Sequence, residues 1–210
     1  MSKLLFLSLL LSVLYGGESK DAAYYYQNAL VAYKSGEFGG ARTAVLESIK
    51  LKPNHSHSLV LLGKIALAQK KYSEAEMLLA PLVLKEPDLG MLWIPWGDVL
   101  VFTGKPGKAI EFYQKATSQE VKKPEALLRK VYAFLKNKEL GEAERVASTM
   151  DGFNDKTPAY YFAKAAVLEA AGKKIEADEV LKNARTLYGE SVYLEFYRDY
   201  LWFVGSVTKS

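Results

Sequence analysis

The sequence predicts an all-α fold, an α-solenoid of five 34-residue helix-turn-helix repeats plus a C-terminal capping helix. Three observations predict it. Ala41, Ala75, Ala109, Ala143 and Ala177 recur every 34 residues. Each stands in a similar string, such as Lys71-Tyr72-Ser73-Glu74-Ala75-Glu76 and Glu139-Leu140-Gly141-Glu142-Ala143-Glu144. Apolar residues, half of the 210, return at helical spacing rather than alternating. A single-residue slip between any two repeats would break the series, so the regularity belongs to one continuous elongated core and not to separate domains.

Charge and composition narrow the function. The 28 basic and 24 acidic residues are interspersed, giving a net charge of +4 without a basic stripe. Phosphate binding needs clustered Lys and Arg, so nucleic acid is not an expected partner. The chain has no cysteine, which excludes disulfides, thiolate catalysis, Cys-based zinc sites and a lipid-modified Cys. There is no phosphate loop and no Ser, His and Asp arrangement, so neither catalytic residues nor a cofactor are expected. His55 and His57 share one turn with no third ligand nearby in sequence, so no metal site is expected. Asn54-His55-Ser56 fits an N-glycosylation acceptor, relevant only in a eukaryotic host.

Residues 1–19 are a different material. Met1-Ser2-Lys3 precedes an apolar run from Leu4 to Tyr15, followed by Gly16-Gly17-Glu18-Ser19, the pattern of a secretory signal peptide. At 1.5 Å per residue the run covers about 18 Å, short of the roughly 30 Å hydrocarbon core. Gly16 or Gly17 supplies a small residue before a cut, but Leu14 or Tyr15 occupies the other position that prefers one. Three readings stay open: a cleaved signal, a retained membrane anchor, and an apolar tail on a cytoplasmic chain.

The first unit spans residues 22–55. Its first helix carries Tyr25, Ala29, Ala32 and Tyr33, Gly36 and Phe38 turn the chain, and the second runs through Ala41, Val45, Ser48 and Ile49 towards Pro53. Small residues let two antiparallel helices approach, and bulky ones fill the space to the next pair. This pattern resembles the tetratricopeptide repeat: an aromatic residue or Leu, a small residue four later, a turn Gly, an aromatic, Ala, a bulky residue, Ala and Pro. The resemblance implies a right-handed solenoid.

Units two to five span 56–89, 90–123, 124–157 and 158–191. The second matches through Leu62-Gly63, Tyr72, Ala75, Leu79 and Pro87, but Lys70 replaces the turn Gly and Pro81 should kink its second helix. The third matches through Trp93, Gly97, Gly104, Ala109, Tyr113 and Ala116. Pro95 there means either a helix start near Ile94 or a bend. Trp93 and Trp96 around it read as inter-repeat packing ahead of a ligand cage. The fourth is weakest, with Lys138 in place of the turn Gly and Asp151-Gly152-Phe153-Asn154-Asp155 ending its second helix early. Those carboxylates lack the ordered spacing of a calcium loop. The fifth recovers with Tyr161, Ala165, Gly172, Ala177, Leu181 and Ala184, and Pro124 and Pro158 sit where first helices start.

Residues 192–210 form the closing helix and tail, with Tyr193, Phe196, Tyr197, Tyr200, Leu201 and Val204 as the stripe covering the fifth unit. Trp202 falls beside Glu195, Arg198 and Asp199 on the other side, a candidate contact for a homodimer or another partner.

Tetratricopeptide arrays hold peptides or helices of other proteins on the concave surface lined by first helices. Carried onto this chain, the family's groove positions fall on Tyr26, Leu30, Tyr33, Val60, Lys64, Leu67, Ile94, Val101, Phe102, Leu128 and Tyr132. Asp98, Leu135 and the flanking Lys34, Ala68 and Lys136 complete the set. The set is mostly apolar and aromatic, which suits an amphipathic helix or an apolar peptide. It lacks the Lys, Arg and Asn set with which chaperone-binding members grip a C-terminal carboxylate. The expected function is therefore a non-catalytic protein–protein interaction scaffold, exported, periplasmic or secreted. The alternative is a cytoplasmic adaptor anchored to the membrane through residues 1–17 and tethering another structure. In layout it is similar to the kinesin-light-chain-like tetratricopeptide proteins that accompany bacterial tubulin-like filaments.

Overall fold

A computed structural model describes residues 20–119, 123–152 and 156–205. The apolar segment 1–19, the tail 206–210 and the Phe153-Asn154-Asp155 part of the acidic turn lie outside the described residues. Among the described residues there are eleven α-helices, one short 3-10 turn and no strand. In order these are α1 (Ala22–Lys34), α2 (Phe38–Leu51), α3 (Ser56–Ala68), α4 (Tyr72–Lys85), the 3-10 turn Gly90–Leu92 and α5 (Trp93–Phe102). Then come α6 (Pro106–Ala116), α7 (Lys123–Lys136), α8 (Leu140–Ser148), α9 (Ala159–Ala170), α10 (Lys174–Tyr188) and α11 (Glu190–Val204). The fold class is the expected one, an α-solenoid of helix-turn-helix repeats. The chain divides into two compact units, Met1–Gln69 and Lys70–Ser210. The first contains α1 to α3, the second α4 to α11.

The periodic alanines are where helices touch. Ala41, Ala75, Ala109 and Ala143 are 0% exposed and Ala177 is 1% exposed. The small position of the first helices shows the same need for room. At Gly97 a Cβ would lie 2.4 Å from the Tyr113 ring, so α5 and α6 approach too closely for any side chain there. Tyr113 is itself fully buried and hydrogen-bonded, so it has nowhere to swing.

The helix pairs share one turn geometry. Gly36, Lys70, Gly104, Lys138 and Gly172 stand 34 residues apart with φ of 79°, 59°, 80°, 63° and 78°. At Gly36, Gly104, Lys138 and Gly172 the next residue donates back to a carbonyl five positions earlier, as in Lys105 N to Leu100 O at 2.7 Å and Glu139 N to Phe134 O at 2.9 Å. Lys70 and Lys138 thus depart from the repeat in residue type while keeping its left-handed backbone. The tertiary fold overrides a cost of roughly 1–2 kcal/mol at each lysine.

Pro81 leaves α4 unbroken from Tyr72 to Lys85. The carbonyl that loses its intrahelical donor belongs to Met77, which is 71% exposed, so solvent can replace the bond. Pro95 is the third residue of α5, where its missing N–H is one the helix end leaves unused anyway. Both flanking tryptophans are tied down: Trp93 Nε1 donates to the Pro87 carbonyl at 3.1 Å, and Trp96 meets Phe112 edge-on at 6.4 Å. The fourth repeat's second helix is short, as expected, with α8 ending at Ser148.

Gly189 alone separates α10 from α11, at φ 78° and ψ 163°, a conformation open to glycine and almost nothing else. It starts the closing helix at Glu190, two residues before the expected Val192. The first half of α11 covers the last repeat as a cap should. Tyr193, Phe196 and Tyr200 pack around buried Phe162 at 5.5, 5.8 and 5.7 Å, and the Tyr200 hydroxyl donates to Glu169.

Candidate interaction surface

In the first unit, Tyr26, Leu30 and Tyr33 follow one another by four and three residues and so share a face of α1. They are half-buried, as is Lys64 on α3, whereas Val60 and Leu67 are 0% and 4% exposed and belong to the core. The Lys64 ammonium lies 5.1 Å from the Tyr33 ring centre, and Tyr33 leans on Phe38 at 5.8 Å. The accessible part is therefore an aromatic and aliphatic strip with one cation held over a ring.

Tyr26 is fixed by its surroundings. It stands edge-on to His55 at 5.6 Å and His57 at 6.2 Å, and the two imidazoles stack at 5.4 Å. A hydrogen-bond chain runs from His55 Nδ1 to Ser58 Oγ (2.7 Å), on to Ser48 Oγ (2.8 Å) and to the Ala22 carbonyl (2.7 Å). Its directions follow from proton counting. Ser48 must donate to the carbonyl, so Ser58 donates to Ser48, and His55 Nδ1 must carry the proton that Ser58 accepts. Burial, followed by Lys52 and His57, lowers the His55 pKa, which favours the neutral ring with its proton on Nδ1. Burial raises the Tyr26 pKa. The chain ties α1, α2 and α3 together behind the strip. Among the described residues no group of three or more His, Cys, Asp or Glu could hold a metal ion.

In the second unit the corresponding positions are covered. Ile94 and Phe102 are half-buried, while Val101, Leu128 and Tyr132 are 6%, 2% and 1% exposed. The cover is the second half of α11. Trp202 stacks on Phe102 at 4.1 Å and on Tyr72 at 6.1 Å, and its Nε1 donates to the Tyr72 hydroxyl at 2.7 Å. Phe203, 0% exposed, stacks on Tyr132 at 4.9 Å. Two expectations are corrected here. Trp202 does not face outward from the cap, because the helix continues past the last repeat and its end turns onto α5 and α7. Val101, Leu128 and Tyr132 are packing residues under that helix and are not open to a partner in this conformation.

Beneath α11 lies an ionic cluster that sequence reasoning finds only in part. The repeat places Asp98 on the inner face, but it does not pair Arg129 with Asp199. Arg129 Nη2 meets Asp199 Oδ2 at 2.5 Å and its Nε lies 3.5 Å from Asp98 Oδ1, while Tyr113 Oη donates to Asp98 Oδ1 at 2.7 Å. The guanidinium also lies 4.6 Å from the Phe203 ring centre. Burial pushes the Asp98 carboxyl up to about 6, against the opposing pulls of Arg129 and the Tyr113 hydrogen bond. Arg129 stays charged, because its acidic neighbours outweigh desolvation. Arg129 Nε and Nη1 and the Tyr132 hydroxyl are buried without a hydrogen-bond partner. The available signal was a charged residue, Arg129, inside the apolar face of α7, and an acid four residues before Phe203.

The comparisons with known proteins agree with this geometry. A family model described as anaphase-promoting complex, cyclosome, subunit 3, matches residues 2–82. A thermophilic tetratricopeptide-repeat protein of Thermus thermophilus superposes with a TM-score of 0.71 at 16% identity, covering 90% of this chain and all of that one. PilW, described as a widely conserved type IV pilus biogenesis factor, gives 0.66 at 17% identity over 79% of this chain and 76% of its own. YrrB, described as having an unusual peptide-binding site, gives 0.54 at 17% identity over 86% and 94%. No curated protein matches the chain in sequence. The fold is that of tetratricopeptide-repeat proteins, a class typically made of interaction scaffolds.

Proposed function

We propose that this chain is a non-catalytic protein–protein interaction scaffold, exported or envelope-associated, which holds an amphipathic helix or apolar peptide of another protein. The observation that carries the reading is the strip of Tyr26, Leu30, Tyr33 and Lys64, which is aromatic, half-exposed and braced from behind by the His55, Ser58 and Ser48 hydrogen bonds. Rigid aromatic side chains give large contact area at little cost in conformational entropy, which is what a peptide-binding surface needs. The peptide-binding and pilus-biogenesis neighbours support the reading by likeness of fold. Residues 1–19 are its export signal, supported by their composition. Among the described residues no helix is long and apolar enough to cross a membrane.

Tyr26→Ala combined with Tyr33→Ala tests the surface. Co-purification of the partner from the native host should be lost while the helical circular-dichroism signal is retained. A partner that stays bound to the double variant places the site elsewhere. Mass spectrometry of the native chain tests export: a mature N-terminus near Gly17 to Ser19 supports it, and an intact Met1 or Ser2 in the membrane fraction supports the tethered adaptor instead.

A further inference from the structure

The second half of α11 sits where a partner helix would lie in this class of fold, so its side chains report what that face accepts. Asp199, Trp202 and Phe203 are spaced by three and four residues and share one face of the helix. The carboxylate meets Arg129, the indole lies flat on Phe102 with rings 11° apart, and the phenyl stacks on Tyr132 at 21°. The fit is incomplete in one respect. Asp199 engages Arg129 through Nη2 alone, so Arg129 Nη1 and Nε and the Tyr132 hydroxyl stay buried without a hydrogen-bond partner. A guanidinium is built to take a carboxylate through two parallel bonds, so a ligand carboxylate set differently could use donors that Asp199 leaves idle.

The attachment of α11 is also uneven. Its first half packs around Phe162 and is joined to α10 by the single residue Gly189. Its second half carries Leu201 at 53% exposure on the outside. Helix ends open more readily than helix centres, so the terminal turns can leave while the cap stays in place.

We propose that the face made by Phe102, Arg129 and Tyr132 is a binding site for a helix of another protein that carries a carboxylate followed three and four residues later by two aromatic side chains, and that the end of α11 is its resident stand-in. This rests on the scaffold reading but uses a different surface from the Tyr26 and Tyr33 strip. Failure of one therefore leaves the other standing.

The probe is a fluorescein-labelled peptide with the sequence of residues 190–204, added to the full chain. In the full chain carrying Asp199→Asn and Trp202→Ala the resident helix is weakened, and the peptide should bind roughly tenfold or more tightly than to the unaltered chain. Adding Arg129→Met should remove that gain, and a peptide with both aromatic residues replaced by Ala should not bind. A weakened chain that keeps its helical signal and takes up no peptide overturns the proposal. So does one that instead dimerises by exchanging α11, since the occupant is then a second copy.

Hydrogen exchange on the unaltered chain decides the matter if the variant fails to fold. Amides of residues 199–204 should exchange roughly tenfold or more faster than those of Ala163 and Ala166 in α9. Exchange of both in one step marks α11 as a permanent part of the core and overturns the proposal.

Discussion

The inner face of the first repeat and that of the third and fourth repeats carry similar side chains with opposite fates. Tyr26, Leu30 and Tyr33 remain half-exposed on α1, whereas Val101, Leu128 and Tyr132 lie under α11 at 6%, 2% and 1% exposure. Composition does not separate them, since both are aromatic and aliphatic. The difference is supplied by a helix from the far end of the chain, and by Arg129, which gives that helix a charged point of attachment. An inner-face residue is thus a binding residue or a core residue according to what the rest of the chain lays over it.

Aromatic truncation should separate the two faces most widely. Phe203→Ala removes a fully buried ring and should cost about 3–5 kcal/mol in urea unfolding, while Tyr33→Ala, already half-exposed, should cost about 1 kcal/mol. Equal costs would mean that α11 does not pack as described. Glycines give the next largest contrast, and it changes sign. Gly97→Ala drives a Cβ into the Tyr113 ring and should destabilise by about 1–3 kcal/mol, whereas Gly40→Ala, in the first turn of α2 with open space around it, should stabilise by about 0.5–1 kcal/mol in the same assay.

The covered face should also respond to pH through Asp98. Its carboxyl titrates at about 6 in the folded chain against the usual 3.8, so the folded state holds the proton more tightly than the unfolded state. Stability at this site therefore rises as pH falls through 6. Between pH 7 and pH 5 the gain should be about 1 kcal/mol, read as the difference in pH dependence between the unaltered chain and Asp98→Asn. A smaller effect should come from the turns. Lys138→Gly relieves a left-handed residue at φ 63° and should raise the unfolding free energy by up to about 1 kcal/mol, where Gly36→Ala in the first repeat should lower it.

Much of the fold was legible in the sequence because its determinants are local and periodic. Alanines every 34 residues mark close helix contacts, and the turn before each second helix recurs at the same interval. Lys70 and Lys138 look like exceptions only while residue type stands in for backbone conformation. The surface was half legible for a related reason. The spacing that places Tyr26, Leu30 and Tyr33 on one face is a local property, but the covering of Tyr132 by Phe203 joins residues 71 positions apart, and no periodicity within a repeat encodes it. Arg129 and Asp199, 70 positions apart, are the same kind of information. Trp202 was misplaced because a helical stripe defined by contact with the last repeat says nothing of a helix end that reaches beyond it.

The absence of cysteine from the chain allows the central claim, that α11 covers one inner face and leaves the other accessible, to be tested by thiol labelling. Tyr33→Cys and Tyr132→Cys, each in the full chain, would be reacted with a maleimide at neutral pH. Position 33 should label at close to the rate of an exposed thiol, and position 132 roughly tenfold or more slowly, with the difference reduced when Asp199→Asn and Trp202→Ala are added. Equal labelling rates at the two positions in otherwise unaltered chains would contradict it.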